Sequence, residues 1–275
     1  MRHNTRGDRH KTGHDTQWWF RVTGIRFSPA LWRVVILAGF VILLEVLCAA
    51  GVIGRLTMQP PHRMAIDLAA MLASGKLNKA IAKTLGNALA AFAIAMALGV
   101  ASAIVIHRLR RVRDTLEPLF ATYYAIPVFA FYPLLIILLG LGDAPQIFIG
   151  AMLGVVAVVV NTLNGLDRVP DVLIKTARIN RMGPVETAWR VTLPSGAPYI
   201  LTGAKLAVAY SFIGIIGAEF IMSNGGMGYE ISFAYNNFDN ATMYPLIVLI
   251  LLVSVGVNML IARWEKALMA RRGLR

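Results

Sequence analysis

Six long apolar stretches, separated by polar segments, dominate the pattern of the chain. A membrane-spanning helix needs about 20 mostly apolar residues, because each backbone amide inside the bilayer must be satisfied within its own helix. The pattern therefore predicts an all-α integral membrane protein with six transmembrane helices. The predicted spans are residues 31–54, 80–106, 116–141, 146–166, 199–222 and 244–262.

Three polar connections carry structure of their own. Residues 55–79 contain Pro60 and Pro61, and then a short helical pattern that ends at Ser74 and Gly75. Residues 223–243 begin with the glycine-rich turn SNGGMGYE and predict a loop. We call residues 167–198 the polar loop. Its sequence predicts a helix over 170–180, a turn over 181–184 and a second short helix over 185–191 that stops before Pro194.

Composition and charge agree with a membrane protein. The chain is 57% hydrophobic and 15% charged, which is more apolar than a soluble domain of 275 residues can bury. Most Lys and Arg residues lie in the tail 1–30, after the second span, in the polar loop and in the tail 263–275. Since Lys and Arg are retained in the cytoplasm, both termini are predicted to be cytoplasmic. The net charge of +13 is thus explained by the orientation of the chain in the membrane and does not indicate nucleic-acid binding.

Some polar and proline residues inside the spans are candidates for a transport pathway. Pro127 and Pro133 bend the third span, either as a structural kink or beside a pathway. Glu219 either lines the pathway or braces the glycine-rich turn that follows it. Lys205 is interpreted as reaching the interface with its long stem. The candidate pathway residues are Asn87, Pro127, Asn161, Asn164, Tyr210 and Glu219.

Small residues at four-residue spacing predict which helix faces pack closely. In lipid no hydrophobic force drives helices together, so packed faces are enriched in small side chains. The second span carries such a row, and the fifth span repeats it. The two rows are Ala91, Ala95, Gly99 and Ala103, and Gly203, Ala207 and Ser211.

The chain carries no recognisable source of energy. The motifs GxxxxGKS/T, HExxH, GxSxG and CxxC do not occur, and the single Cys48 excludes an intrachain disulfide. Intramembrane acids are confined to Glu45 and Glu219, which disfavours an autonomous secondary transporter or channel. An enzyme acting on lipid-linked substrates would need clustered His or acidic residues at the interface, and the sequence shows no such cluster. We therefore expect energy to come from another subunit and expect no cofactor in this chain.

The polar loop resembles a known motif. RVTLPSGAP, preceded by Ala177-Arg178 and followed by YILTGAKLAVAYSFIGIIGAEF, resembles the EAA loop of permease subunits in binding-protein-dependent ATP-binding-cassette importers. The third span and GGMGYEI are similar to the nitrate, sulfonate and taurine branch. An ungapped alignment places the family's Glu-Ala-Ala on residues 175–177 and its glycine on Arg181. Either the turn has shifted to Gly183 or the signature has degenerated here.

The resemblance implies a type I importer permease fold in the bacterial inner membrane. It implies a homodimer, two ATPase subunits that bind ATP and Mg, a periplasmic binding protein and lipid as partners. Alternating access would import a small solute, either nitrate-, sulfonate- or taurine-like or pyrimidine- or flavin-like. The residues expected to contact the ATPase are Lys175, Ala177, Arg178, Arg181, Met182, Gly183, Glu186, Trp189, Leu193 and Pro194.

Overall fold

The computed structural model describes residues 29–54 and 57–271. The predicted tail up to residue 28, with its histidines His3, His10 and His14, lies outside the described residues, as do Arg55 and residues 272–275. Within the described ranges the chain forms helices joined by turns, so the predicted all-α class is confirmed.

Eleven α-helices are present among the described residues. They are α1 (Pro29–Ala49), α2 (Pro61–Ala73), α3 (Asn78–Arg108), α4 (Arg110–Thr122), α5 (Tyr132–Leu139), α6 (Asp143–Asp167), α7 (Asp171–Ile179), α8 (Pro184–Thr187), α9 (Leu193–Ile221), α10 (Met227–Asn236) and α11 (Asn240–Arg271). Short 3₁₀ turns at Tyr123–Ala125 and Val128–Phe131 join α4 to α5.

Five of the described helices are long and apolar enough to cross a bilayer, and a bent pair supplies the sixth span when its halves are taken together. That pair corresponds to the third predicted span. Its halves, Arg111–Ala125 and Val128–Leu139, meet at 85°. The break falls at Pro127, which has no backbone N–H to continue the helix. The predicted kink is therefore a full break of the helix.

Helices α3, α6 and α9 form the centre of the bundle, with α6 packed between the other two. The small residues predicted for these faces are buried: Ala91, Ala95, Ala103 and Ala207 have no exposed surface. The helices approach so closely that a Cβ on Gly150 of α6 would lie 2.9 Å from the Ala91 Cβ. The prediction that small rows mark packed faces is confirmed.

A second layer, made by α2, α10 and α11, packs near the start of α3. Leu68, Met227, Ile231 and Leu246 join residues of α3 and α9 in one apolar cluster. Helix α10 lies in the segment predicted to be a loop. Its start is set by Gly226 at φ 109°, a conformation open to glycine, and its inner side buries Met227 and Ile231.

The polar loop is partly as predicted. Helix α7 and the turn after it match the expected positions. The predicted stop before Pro194 is wrong, because helix runs without interruption over Pro184–Ile221. A π-helical turn at Ala188–Thr192 widens the backbone directly before Pro194. This wider turn accommodates a proline ring that would clash with the preceding carbonyls in a regular α-helix.

Candidate functional site

The turn of the polar loop is closed by hydrogen bonds typical of a helix C-terminus. The Met182 amide donates to the Ala177 carbonyl at 3.0 Å, and the Arg181 amide donates to the Arg178 carbonyl at 2.9 Å. This pattern normally places a glycine at the left-handed position. Here Arg181 occupies it with φ 54°. The turn has therefore kept its place at Arg181, and Gly183, with φ −66°, follows it in an ordinary conformation.

Two arginines form hydrogen bonds between elements at the end of the bundle that carries the polar loop. Arg108, at the end of α3, donates from Nη2 to the Pro184 carbonyl at 2.7 Å. Arg113 of α4 makes two parallel bonds to Asp167 of α6, both at 2.5 Å, and His107 lies 3.4 Å from the same carboxylate. Paired guanidinium–carboxylate bonds fix geometry as well as charge. The turn is thus bonded directly to α3, and α4 is bonded directly to α6.

Most of the side chains expected to contact an ATPase are accessible. Lys175, Arg178, Arg181, Gly183, Glu186, Trp189 and Pro194 are exposed, and Met182 and Leu193 are half-buried. Ala177 is different, since it is only 2% exposed and packs inward. Glu186 forms an ion pair with Arg190 one turn later, at 3.0 Å.

Apolar side chains also face outward from the polar loop. Val172 and Ile179 lie on one face of α7, seven residues apart, and Val185 and Trp189 lie four residues apart after the turn. Their exposed fractions run from 64% for Val185 to 81% for Ile179. We call these four residues the apolar face of the polar loop. Only Trp189 was selected from the sequence; Val172 and Ile179 could have been found from their position on α7 opposite Ala177.

Three predicted pathway residues come together in one cavity. Asn161 and Asn164 of α6 and Tyr210 of α9 line a space of about 460 Å³ that extends to Arg113 and Glu117 of α4. We call this the amide cavity. The Tyr124 ring stacks on Tyr210, with centroids 5.1 Å apart. Pro127 lies outside its lining, exposed at the break between α4 and α5.

Glu219 and Asn87 lie elsewhere, at the opposite end of the bundle. Glu219 has no exposed surface and accepts hydrogen bonds from the Thr84 hydroxyl at 2.8 Å and the Gly228 amide at 3.0 Å. The Met227 amide in turn donates to the Thr84 hydroxyl. This geometry supports the bracing alternative for Glu219.

Asn87 belongs to a second chain of hydrogen bonds, which ends at the same glycine-rich turn. Its amide donates to Gln146 of α6 at 3.3 Å, and Gln146 donates to Ser223 at 2.9 Å. The Tyr132 hydroxyl donates to the Met222 carbonyl at 2.5 Å. Four helices therefore hold the glycine-rich turn. Thr84 and Gln146 were not selected from the sequence, although each is a polar residue in an apolar span.

Lys205 has a specific partner. Its ammonium lies 2.8 Å from the Glu265 carboxylate of α11. The interpretation that Lys205 only extends its stem to the interface is thus replaced by an ion pair that joins α9 to α11. The predicted end of the last span at residue 262 concealed it, because α11 continues as helix to Arg271.

The chain belongs to the family described as binding-protein-dependent transport system inner membrane component, whose pattern matches residues 95–272. It is therefore a permease subunit of a binding-protein-dependent ATP-binding-cassette importer, a translocation component and a multi-pass membrane protein. The matched region contains the polar loop, the amide cavity and the glycine-rich turn. The resemblance noted from the sequence is confirmed.

Curated relatives agree with this assignment. A probable ABC transporter permease protein of Brucella melitensis is 27% identical over 198 residues, 72% of this chain and 80% of the relative. The nitrate import permease protein NrtB of Leptolyngbya laminosa is 26% identical, over 66% of this chain and 65% of its own length. The bicarbonate transport system permease protein CmpB of Synechocystis is 25% identical, over 72% of this chain and 74% of its own.

A solved structure shares the fold. A chain of the methionine ABC transporter MetNI, in an inward-facing conformation, superposes with a TM-score of 0.58 at 17% identity. The match covers 70% of this chain and 95% of that one. The predicted type I importer permease fold is confirmed.

Proposed function

We propose that two copies of this chain form the passage of an ATP-driven importer in the bacterial inner membrane, with both termini in the cytoplasm. Two separate ATPase subunits supply the energy, and ATP and Mg bind there. A periplasmic binding protein delivers a small solute to the end that carries the glycine-rich turn. One chain forms a single bundle, and we place a second copy, related by a two-fold axis, against the amide cavity.

One observation carries this proposal: the polar loop is internally fastened and yet presents an apolar face. Hydrogen bonds from Arg108 and within the turn hold the loop in shape. Ile179 and Trp189 remain 81% and 69% exposed in a segment rich in Lys and Arg. Exposed aromatic and apolar side chains of this kind are typical binding anchors. We assign the apolar face, with Arg178, Arg181 and Met182, to the ATPase contact.

The route of force follows from the same contacts. The turn is bonded to α3 through Arg108 and Pro184, and the helix after the turn continues without a break into α9. Closure of the ATPase pair on ATP would therefore tilt α3 and α9 together. Because α6 packs closely against both, a rigid-body movement opens or closes the amide cavity, as alternating access requires.

Reconstitution tests the proposal. Proteoliposomes are prepared with the chain alone, with the chain and its ATPase, and with both plus the binding protein, and uptake of the binding protein's solute is measured. Uptake is expected only in the complete system with ATP. Solute flux through the purified chain alone would overturn the proposal in favour of an autonomous channel or secondary transporter.

A further inference from the structure

The amide cavity has an aromatic wall. Phe120, Tyr124 and Tyr210 line it from α4, the following 3₁₀ turn and α9. Tyr123 anchors this turn by donating from its hydroxyl to the Met152 carbonyl at 2.9 Å, which leaves the next ring, Tyr124, over the cavity. Tyr124 is 44% exposed, and its ring lies at 29° to Tyr210. A flat solute can stack against such a wall.

The polar groups of the cavity are mainly neutral. Asn161 donates from Nδ2 to the Ala157 carbonyl at 2.8 Å, so its Oδ1 remains an acceptor toward the cavity. The side chain of Asn164, which is exposed, makes no hydrogen bond with any residue in the described ranges. Two carboxamides, next to two phenols, offer both donors and acceptors. This set matches the edge of a ring that itself carries donors and acceptors.

The charges of the cavity disfavour an anion. Arg113 is the cation of its lining, and both of its terminal nitrogens are already bonded to Asp167. Glu117, one turn along α4, adds a negative charge to the same lining. A small oxyanion would meet an arginine whose charge Asp167 already balances, and it would have to approach the Glu117 carboxylate. A neutral solute meets neither cost.

We infer that the amide cavity is a solute site of the passage and that it takes an uncharged, planar heteroaromatic ring. This inference rests on the proposed function and selects between the two solute classes open to it. It departs from the solutes in the names of the nitrate and bicarbonate relatives. The expected contacts are stacking on Tyr124 and hydrogen bonds to Asn161 and Asn164.

The test measures binding to the permease–ATPase complex in nanodiscs without the binding protein, so that the selectivity of the binding protein does not enter. The probes are uracil, nitrate and methanesulfonate, and the amount of each that binds is measured by equilibrium dialysis with isotope-labelled ligand. Uracil is expected to bind, and the two anions are not. Tyr124→Leu and Asn164→Ala should each weaken uracil binding about tenfold, as expected for loss of a stacking or buried polar partner.

Matched variants separate recognition from folding. Tyr124→Phe keeps the ring that stacks and should weaken uracil binding less than Tyr124→Leu does. Tyr235→Leu, which removes an exposed tyrosine on α10 outside the cavity, should keep the parental uracil binding. Tighter binding of nitrate than of uracil, uracil binding that ignores Tyr124→Leu, or no uracil binding would each overturn the inference.

ATP-dependent uptake, measured in proteoliposomes that contain the complex and the binding protein, separates failure of the solute assignment from failure of the proposed function. If uptake of the binding protein's solute is intact while uracil fails to bind, only the assignment of a heteroaromatic solute is lost. If the complete complex shows no ATP-dependent uptake, the proposed function fails as well.

Discussion

The close packing of α3 on α6 makes a sharp prediction for two glycines on the same helix. A Cβ added to Gly99 would lie 2.6 Å from the Val158 Cβ and 2.7 Å from its Cγ1. Carbon atoms prefer about 3.5–4.0 Å, so the deficit is about 1 Å. Val158 is fully buried, and on its far side α6 already contacts Gly203 of α9. Helix α6 therefore cannot shift away from α3 without moving into α9.

The magnitude follows from two opposing effects. Overpacking of this kind costs about 1–3 kcal/mol, and replacing glycine by alanine in a helix returns up to about 1 kcal/mol. We expect Gly99→Ala to lose about 1–2 kcal/mol of stability. Gly86, earlier on α3, has no neighbouring atom within 4 Å of the same Cβ position. Gly86→Ala should therefore gain up to about 1 kcal/mol.

Unfolding of the purified chain in mixed micelles, followed by tryptophan fluorescence, compares both variants with the parent. The expected order of stability is Gly86→Ala, then parent, then Gly99→Ala. If Gly99→Ala proved as stable as Gly86→Ala, the close approach of α3 and α6 would be refuted.

Two further predictions concern the turns at the ends of the bundle. Arg181→Gly should stabilise the protein by up to about 1 kcal/mol, because glycine adopts the left-handed conformation without strain. The control Arg178→Gly, in a right-handed helix, should cost about 1 kcal/mol. Thermal unfolding measures both variants, and a loss of stability in Arg181→Gly would contradict the assigned turn. Glu219→Met, which removes both acceptor oxygens, should cost about 1–3 kcal/mol and increase hydrogen exchange at the Gly228 amide. Glu230→Met is the control, and equal exchange in both variants would remove Glu219 as the brace.

The central helices were predictable because their apolar length and small-residue rows are local properties. Gly99 and Ala103, one turn apart, indicate a packed face even before the helix that packs on it is known. Helix α10 was not predictable in the same way. Its ten residues begin at a glycine-rich turn and end among asparagines, and its helical state depends on burying Met227 and Ile231 against neighbouring helices.

The rules that proline ends a helix and that glycine occupies a left-handed turn position failed where other interactions determine the backbone conformation. Pro194 normally indicates a helix end, but the π-helical turn before it lets the helix continue. The glycine expected at position 181 was missing, and yet the turn is kept, because the hydrogen bonds of Met182 and Arg181 fix it. Strain at one residue is small beside the packing of the loop.

The candidate pathway residues looked alike in the sequence and differ in the structure. Asn87 and Asn161 are both asparagines within apolar spans. Asn87 bonds to Gln146 in the buried network, whereas Asn161 lines the amide cavity. Nothing local separates them, since the difference depends on which neighbouring helix each one faces. For the same reason Tyr124 was identified only from its contact with Tyr210.

We propose that a separate ATPase drives this chain through the apolar face of the polar loop. The most direct measurement is ATP-dependent uptake by the reconstituted complex carrying Ile179→Ala and Trp189→Ala together. Trp264→Ala, which removes an exposed tryptophan from α11, is the matched control. We expect the double variant to lose uptake at least about tenfold, as for loss of interface anchors, while the control retains it. A double variant that binds its ATPase and transports at the parental rate would contradict the account.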